Sequence, residues 1–262
     1  MSSTKAASSW QPWKTAITDS DDKGIWFRGH DVTELMGRAT FADTVFLLHR
    51  GRLPTEHERR LIDAILIAVA DHGPGSPSAA AARVVATGNR AAPEAAVAAG
   101  VLAIGDKHAG AGMACMQLIA DGLRLKEAES LSMEEAVGRV VSDTTARGER
   151  IPGLGHRTHS VDPRTAVLFS LARQGGLASD GIAFMTALEQ AVSARIKPLP
   201  INIDGGLAAV LYDLGFPPLF GKFVFIIGRV AGLTAQVTEE YTRERPMRIR
   251  IPVEYDGDPP KS

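Results

Sequence analysis

The sequence of 262 residues predicts an all-α fold. Two observations favour helices: apolar residues recur every three or four positions, and capping-box patterns precede some of these runs. Alternating, strand-like patterns are confined to the short stretches 28–32 and 247–253. Because 45% of the residues are hydrophobic and 23% are charged, the chain has the composition of a globular protein that can bury a large core.

The individual helices are predicted from their start signals and apolar spacing. Thr55 opens a capping-box pattern, and Leu61, Ile65 and Val69 follow at intervals of four. Ser132 opens a second such pattern. The remaining helical runs, in chain order, are 78–85, 93–104, 164–173, 181–194 and 220–241.

The charge balance and the cysteine count exclude several classes of protein. A formal net charge of −1 gives no reason to expect binding to nucleic acid or to an anionic membrane. Cys115 is the single cysteine, which excludes an internal disulfide and a cysteine-based zinc site. Residues 1–23 lack the apolar core of a signal peptide, and the most apolar stretch, 220–235, is expected to be too short to span a bilayer. We therefore expect a soluble, cytoplasmic protein.

Two glycine- and proline-rich boundaries divide the chain into a larger and a smaller helical domain. Gly-Leu-Gly at 153–155 and Lys-Pro-Leu-Pro at 197–200 face each other across a segment with two helical runs. We expect residues 20–152 and 200–262 to form the large domain and residues 153–199 the small one. His156 and Asp204 stand beside these boundaries, where a closing cleft would need them.

Four titratable residues stand at breaks between helical runs: His72, His108, His156 and Asp204. Helix ends supply free backbone donors, and glycine lets a ligand approach closely. One such residue is usually a cap or a surface group, but four together indicate a shared cleft.

Several motifs, in order along 24–255, resemble those of citrate synthases. The N-terminal stretches 24–35, 41–43 and 47–54 are similar to the start of that family. The later motifs are His108-Ala109-Gly110-Ala111 for His-Gly-Gly-Ala, Gly153-Leu154-Gly155-His156-Arg157 with Asp162-Pro163-Arg164 for Gly-x-Gly-His-Arg and its continuation, Asn202-Ile203-Asp204 for Asn-Val-Asp, Arg229, and Arg245-Pro246.

This resemblance implies a citrate-synthase-like fold, with the active site in a cleft between a large and a small helical domain. The implied catalytic residues are His108, His156 and Asp204. The implied substrate-binding residues are His72, Arg157, Arg164, Arg229 and Arg245, and the implied contacts to coenzyme A are Gly153, Leu154 and Gly155. The resemblance also implies a coenzyme A thioester as substrate, no tightly bound cofactor, no metal, and a homodimer or higher homo-oligomer in which Arg245 reaches a neighbouring subunit.

Finer details resemble one branch, citryl-CoA lyase, including the lyase module of ATP-citrate lyase. The stretches 70–74 and 103–106 and the short chain favour that branch. His108 is a departure, because the lyase module of the ATP-dependent enzyme has phenylalanine there. The interpretation is therefore a citryl-CoA lyase that forms acetyl-CoA and oxaloacetate, and the alternative is a citrate or 2-methylcitrate synthase.

The residue types fit this chemistry independently of the family. Removing a weakly acidic proton next to a thioester needs a base, here Asp204, and a donor to the thioester oxygen, here His108. His156 would donate to the ketone oxygen, and arginines would bind the substrate carboxylates. Two remote alternatives stay open: an all-α metal-dependent phosphohydrolase and a non-catalytic coenzyme-A-binding relative.

Overall fold

A computed structural model describes residues 12–155 and 162–258, which are helical apart from one small sheet. Strands β1 (Thr18–Ser20), β2 (Ile25–Phe27) and β3 (His30–Asp31) form an antiparallel sheet in that order. The helices of these residues are α1 (Val32–Arg38), α2 (Phe41–Arg50), α3 (Glu56–Val69), α4 (Pro77–Gly88), α5 (Pro93–Leu102), α6 (Ala111–Ala128), α7 (Met133–Ala146), α8 (Pro163–Gln174), α9 (Asp180–Arg195), α10 (Ile203–Asp213) and α11 (Phe220–Arg243). The predicted all-α class is confirmed.

Local sequence signals account for most helix boundaries. Ser132 and Glu135 form the predicted capping box of α7, and α3 follows Thr55 directly. Within the strand-like stretch 28–32, only His30 and Asp31 form a strand, which is β3. The strand-like pattern at 247–253 does not form a strand, because the backbone amides of Met247 and Arg248 bond to Thr87 rather than to a neighbouring strand.

The chain divides into two units, Met1–Arg59 and Arg60–Ser262. The first contains the sheet, α1, α2 and the first residues of α3. Within it, Arg52 makes a two-pronged ion pair with the buried Glu58 at 2.9 and 2.6 Å. These hydrogen bonds lower the pKa of the Glu58 carboxyl to about 2.

The second unit contains two packed groups of helices. In the α11 group, α4 packs on both α5 and α11. In the α10 group, α10 packs on α6, α8 and α9, while α7 packs on α6 and α9. The core of the α10 group contains Phe184, Leu188 and Leu207, all fully buried. Cys115 is also fully buried in α6, and burial raises the pKa of its thiol, as expected for an inert core residue.

Helix α11 is the one helix among the described residues that is long and apolar enough to cross a membrane by length and composition. It has 24 residues, so the sequence-based expectation that this stretch is too short to span is wrong. A central helix of a soluble core passes the same test, and 56% of its most apolar window is buried in the protein. It also carries two buried charged side chains: Glu240 is ion-paired with Arg83, and Arg229 is hydrogen-bonded to neutral oxygens.

The two boundaries of the predicted small domain lie side by side. The amide of Gly155 donates to the carbonyl of Pro200 at 2.7 Å, and the amide of Asn202 donates to the carbonyl of Gly153 at 3.0 Å. Between them, α8 packs on α10, and α9 packs on α7 and α10. The rotation of residues 153–199 as one body stays a prediction.

Candidate active site

Five of the residues predicted from the sequence line one small cavity of about 120 Å³ in the second unit. They are His72, His108, Arg164, Asp204 and Arg229. Three helices begin at this cavity, since Arg164 and Asp204 are the second residues of α8 and α10, and Ser78, a partner of His108, is the second residue of α4. Helix N-termini favour negative charge, so the arrangement suits an anionic ligand.

The imidazole of His108 is held by the first turn of α4. Its Nε2 accepts from the backbone amide of Ser78 at 3.3 Å and lies 2.9 Å from the Ser78 hydroxyl. An amide can only donate, so this contact assigns the ring proton to Nδ1. Burial lowers the pKa of His108, and the charges of Arg229 and His72 lower it further. His108 is therefore a neutral hydrogen-bond donor at neutral pH.

Asp204 is a partly buried carboxyl close to the start of α10. The Asn202 side chain caps that helix by accepting from the Gly205 amide at 3.1 Å. Burial raises the pKa of Asp204, and the charge of Asp162 raises it too, while Arg164 and Arg229 act in the opposite direction. A carboxylate with a raised pKa is a stronger base than an ordinary one, which suits proton transfer to and from carbon.

Arg164 is oriented by Asp162, which is only 1% exposed. Asp162 accepts from Arg164 Nε at 3.0 Å and Nη2 at 2.9 Å, and also from the backbone amide of Ile203 at 2.9 Å. Burial opposes ionisation of Asp162, but these hydrogen bonds outweigh it and hold its pKa below the usual range. One buried carboxylate thus fixes the start of α8 and the start of α10 together.

Arg229 is a buried guanidinium, 2% exposed, in the middle of α11. Its Nε donates to the Val69 carbonyl at 2.9 Å and its Nη1 to the Ser78 hydroxyl at 3.0 Å, and the group lies 4.6 Å from the Phe225 ring centre. Both hydrogen bonds end on neutral oxygens. Burial lowers its pKa, and the nearby charges of Asp71 and Asp204 partly offset that effect. An anionic ligand would complete the neutralisation of this charge.

The other predicted site residues are not among the described residues that line this cavity. His156 and Arg157 lie outside the described residues. Arg245 is exposed after the end of α11 and does not line the cavity. In the 153–155 loop the Gly155 amide is already bonded to Pro200, so this amide is not free to contact coenzyme A in this structure. The roles predicted for these residues stay predictions.

Sequence reasoning missed Ser78 and Asp162 as site residues. Ser78 follows Ser76-Pro77 at a helix start, and Asp162 precedes Pro163 as the α8 cap, so each reads locally as an ordinary capping pattern. Their site contacts join residues 30 and 41 positions apart, which no local pattern reveals. No group of three or more candidate metal ligands occurs within residues 12–155 and 162–258.

The arrangement has the parts needed to move a proton at a carbon next to a carbonyl group. Asp204 is the base or acid, and His108 is a neutral donor for an oxygen that becomes negative. Arg164 and Arg229 supply fixed positive charge for carboxylates.

Comparisons with known proteins agree with this chemistry. The family model for the citrate synthase C-terminal domain matches residues 8–60 and 55–250. The structure of citryl-CoA lyase from Hydrogenobacter thermophilus is similar at a TM-score of 0.88, with 38% identity over 96% of this chain and 97% of that one. The structure of ATP citrate lyase from Methanothrix soehngenii shares the fold at a TM-score of 0.77, with 21% identity over 97% of this chain and 43% of that one.

Curated citrate synthases are similar at lower identity. That of Haloferax volcanii is 28% identical over 235 residues, or 88% of this chain and 59% of its own length. That of Heyndrickxia coagulans is 28% identical over 77% of this chain and 52% of its own length. The chain therefore spans between about half and three-fifths of the citrate synthases that it matches.

Proposed function

We propose, on the premise that the chain belongs to the citrate synthase family, that it acts as a citryl-CoA lyase. The substrate would be citryl-CoA, and the products would be acetyl-CoA and oxaloacetate. The observation that carries the proposal is that Asp204 and His108 line one cavity together with Arg164 and Arg229. The similarity to citryl-CoA lyase from Hydrogenobacter thermophilus over nearly the full length of both chains supports the lyase direction.

In the proposed cleavage, each of the three acid–base groups has one role. A base takes the proton of the tertiary hydroxyl, the new carbonyl of oxaloacetate forms, and the electron pair of the breaking carbon–carbon bond moves into the thioester. His108 donates to the resulting enolate oxygen, and Asp204 protonates the enolate carbon to give acetyl-CoA. We assign the base for the hydroxyl to His156, as the sequence predicts. Condensation uses the same groups in the opposite order.

The arginines and the helix starts explain how this site would hold a carboxylate substrate. Arg229 has hydrogen bonds only to neutral oxygens among the described residues, and Arg164 borders the same cavity. A substrate carboxylate would replace water around these charges and gain charge-assisted hydrogen bonds. We expect His72, which is also in the lining, to contribute to the same contacts.

The alternative is a citrate or 2-methylcitrate synthase, which hydrolyses the citryl thioester after condensation. The retained His108 and the similarity to curated citrate synthases, including a citrate/2-methylcitrate synthase of Bacillus subtilis, favour this alternative. The two activities differ in their products. A lyase forms oxaloacetate from citryl-CoA without releasing a free thiol, whereas a synthase releases free coenzyme A.

The test is to supply citryl-CoA to the purified protein and to follow oxaloacetate and free thiol separately. We expect oxaloacetate to appear without thiol, and we expect acetyl-CoA plus oxaloacetate to give citryl-CoA in the reverse direction. The matched control is Asp204→Asn, which has nearly the same size. Thiol release at the rate of citryl-CoA loss would establish the synthase instead, and no turnover in either direction would reject both.

We also propose that the protein is a homodimer. After α11 the segment 251–255 exposes apolar side chains at alternate positions, with Ile251 72%, Val253 87% and Tyr255 75% exposed. Such a segment with a polar alternate face is suited to lie on a second copy. Light scattering of the full chain and of a variant truncated before Arg250 gives the test. A fully active monomer would refute the proposal.

A further inference from the structure

One face of α11 lies against the end of α3 and the loop that follows it. Arg229 Nε donates to the carbonyl of Val69 at 2.9 Å, and a β-carbon at Gly232 would overlap the carbonyl oxygen of Ala70. Gln236 is one turn further along the same face, because residues three and four positions apart lie on one side of a helix. The close approach at Gly232 therefore brings Gln236 to the loop after α3.

The buried side chain of Gln236 connects this loop to α4. Its Oε1 accepts from Arg83 Nε at 2.7 Å, and its Nε2 donates to the two carboxylate oxygens of Asp71 at 3.1 and 3.3 Å. A guanidinium can only donate and a carboxylate can only accept, so the two partners fix the orientation of the amide. The donor end of Gln236 is thus directed at Asp71.

Asp71 in turn fixes the backbone on both sides of His72. Its carboxylate accepts from the amide of Gly73 at 3.0 Å, which closes a turn around His72. Gly73 has φ of +78°, and its carbonyl accepts from the amide and the hydroxyl of Ser76 at 3.2 and 3.0 Å. His72 lines the cavity together with Arg229. The position of His72 therefore depends on the contact that holds Asp71.

Neither Gln236 nor Asp71 lines this cavity. Gln236 can act on a ligand there only through the residues that it holds. Arg229 and Gln236 belong to the same helix, so α11 is a common support for the guanidinium and, through Asp71, for His72. Groups that are held in place before the ligand arrives bind it more tightly, because less conformational entropy is lost on binding.

We propose that Gln236 is a positioning residue for the reaction, which holds His72 beside Arg229 through its hydrogen bonds to Asp71. The inference rests on the proposed function, in which His72 and Arg229 contact the carboxylates of the substrate. It adds a residue outside the cavity on which the binding of those carboxylates depends.

The main test is Gln236→Glu, which keeps the size of the side chain and an acceptor for Arg83 but places a second carboxylate against Asp71. We expect KM for oxaloacetate, in condensation with saturating acetyl-CoA, to rise by about tenfold, within the range of couplings in one hydrogen-bond network. The kcat should change by less than about twofold, because the contact acts on binding rather than on proton transfer. Calorimetry of oxaloacetate binding measures the same loss without turnover.

Two other variants complete the test. Gln236→Met removes the donor to Asp71 without adding a charge, so it should raise KM for oxaloacetate by about threefold. The matched control is Gln117→Glu in α6, where an exposed glutamine donates to Asp121 at 2.9 Å. The control changes the same kind of contact away from the cavity, so its KM should equal that of the unchanged protein. Circular dichroism checks that each variant is folded.

A double-mutant cycle shows whether Gln236 acts through His72. In a His72→Ala protein, Gln236→Glu should change KM for oxaloacetate by less than about twofold, because the side chain that it positions is already absent. The full tenfold increase in that background would overturn the inference, since it would indicate a general effect on the fold.

Two other outcomes would also overturn it. The first is a KM for oxaloacetate within about twofold of the unchanged protein in both Gln236 variants, and the second is a fall in kcat without a rise in KM. An unchanged protein that neither binds oxaloacetate nor cleaves citryl-CoA would reject the proposed function, and the inference with it.

Discussion

The α11 group and the α10 group of the second unit are both closely packed, and the α11 group adds a network of buried ion pairs between α4 and α11. In the α11 group, Arg83 of α4 pairs with Glu240 at 3.1 Å and with Glu239, and its Nε donates to Gln236 at 2.7 Å. Glu240 is fully buried and also accepts from Arg248. Because the Glu240 charge is buried, removing one partner of such a pair would leave the other charge without compensation and lower the stability of the fold.

The α10 group depends on close approach of backbones. A β-carbon at Gly205 would collide with the carbonyl oxygen of Gly153. A β-carbon at Gly153 would lie 2.6 Å from the Cys115 sulfur and 2.8 Å from the Gly205 Cα, and Gly153 also has φ of +81°. This packing has no room for one additional carbon.

The two acid–base groups that line the cavity, His108 and Asp204, are held in place in different ways. His108 is oriented by hydrogen bonds to Ser78 beside Arg229, whereas Asp204 is placed by the close packing at the start of α10. The comparison teaches that the donor depends on polar partners, whereas the carboxyl depends on close packing together with the Asp162 hydrogen bond to the start of α10. Substitutions should therefore disturb the two groups in different ways.

The largest expected effect is on turnover. Asp204→Asn and His108→Ala should each lower kcat by about 10²–10⁴-fold, the range typical of acid–base groups. We expect both variants to retain the native circular dichroism spectrum, because His108→Ala removes only the side-chain acceptor of the Ser78 amide and Asp204→Asn keeps the size of the side chain. Near-normal kcat in a folded Asp204→Asn protein would reject Asp204 as the acid–base residue. His156→Ala is expected to lose a similar factor.

The next effect is on the stability of the α10 group. Gly205→Ala should lower the free energy of unfolding by about 3 kcal/mol, because the added carbon has to displace the Gly153 backbone. Gly37→Ala in α1 is the matched control, since a β-carbon there has no heavy atom within 4 Å. Denaturant unfolding measures both. Equal stabilities of the two variants would show that the packing between Gly205 and Gly153 has room for an additional carbon.

The α11 group should respond to loss of charge. Glu240→Gln leaves Arg83 and Arg248 with less compensation and should lower the free energy of unfolding by about 2 kcal/mol. The exposed Glu134 gives a control, and its change to glutamine should cost less than about 0.5 kcal/mol. A Glu240→Gln protein as stable as this control would show that the buried pairs contribute little.

The smallest effect is a shift of the pH profile. Condensation needs the Asp204 carboxylate, so kcat/KM should fall as pH falls through a pKa raised above 3.8. Because the pKa of His108 is lowered below 6.5, His108 is neutral above pH 6.5 and causes no loss of kcat/KM in that range. Arg164 lowers the pKa of Asp204, so Arg164→Met should move the acid limb to higher pH. Asp162→Asn should move it to lower pH, and shifts in the same direction would contradict this assignment.

Start signals and amphipathic runs predict α3, α4, α5, α7, α8, α9 and α11, and they do not single out α1, α2, α6 or α10. The capping box at Ser132 and the amphipathic run of α11 are examples. Helix α10 was missed because eight of its eleven residues are buried, so its apolar residues have no helical period. The stretch 247–253 has a strand-like pattern, but a strand needs a partner, which no local pattern specifies.

The site was predictable because four of its groups stand at or near helix boundaries and Arg229 interrupts the apolar run of α11. His72, His108, Arg164, Asp204 and Arg229 were all predicted, and the structure places them around one cavity. Ser78 and Asp162 were missed because they act through other residues: Ser78 orients His108, and Asp162 orients Arg164. Such roles depend on tertiary contacts.

The paired boundaries at 153–155 and 200–202 also have a topological consequence. The Asn202 side chain donates to the Gly155 carbonyl across 47 residues, so the chain between them is a ring whose two ends meet. The entropy of closing a ring rises only with the logarithm of its length, and a doubling costs about 0.6 kcal/mol. The closure entropy would therefore change little if exposed residues between the helices of this ring were gained or lost, while Asp204, just outside it, would keep its place.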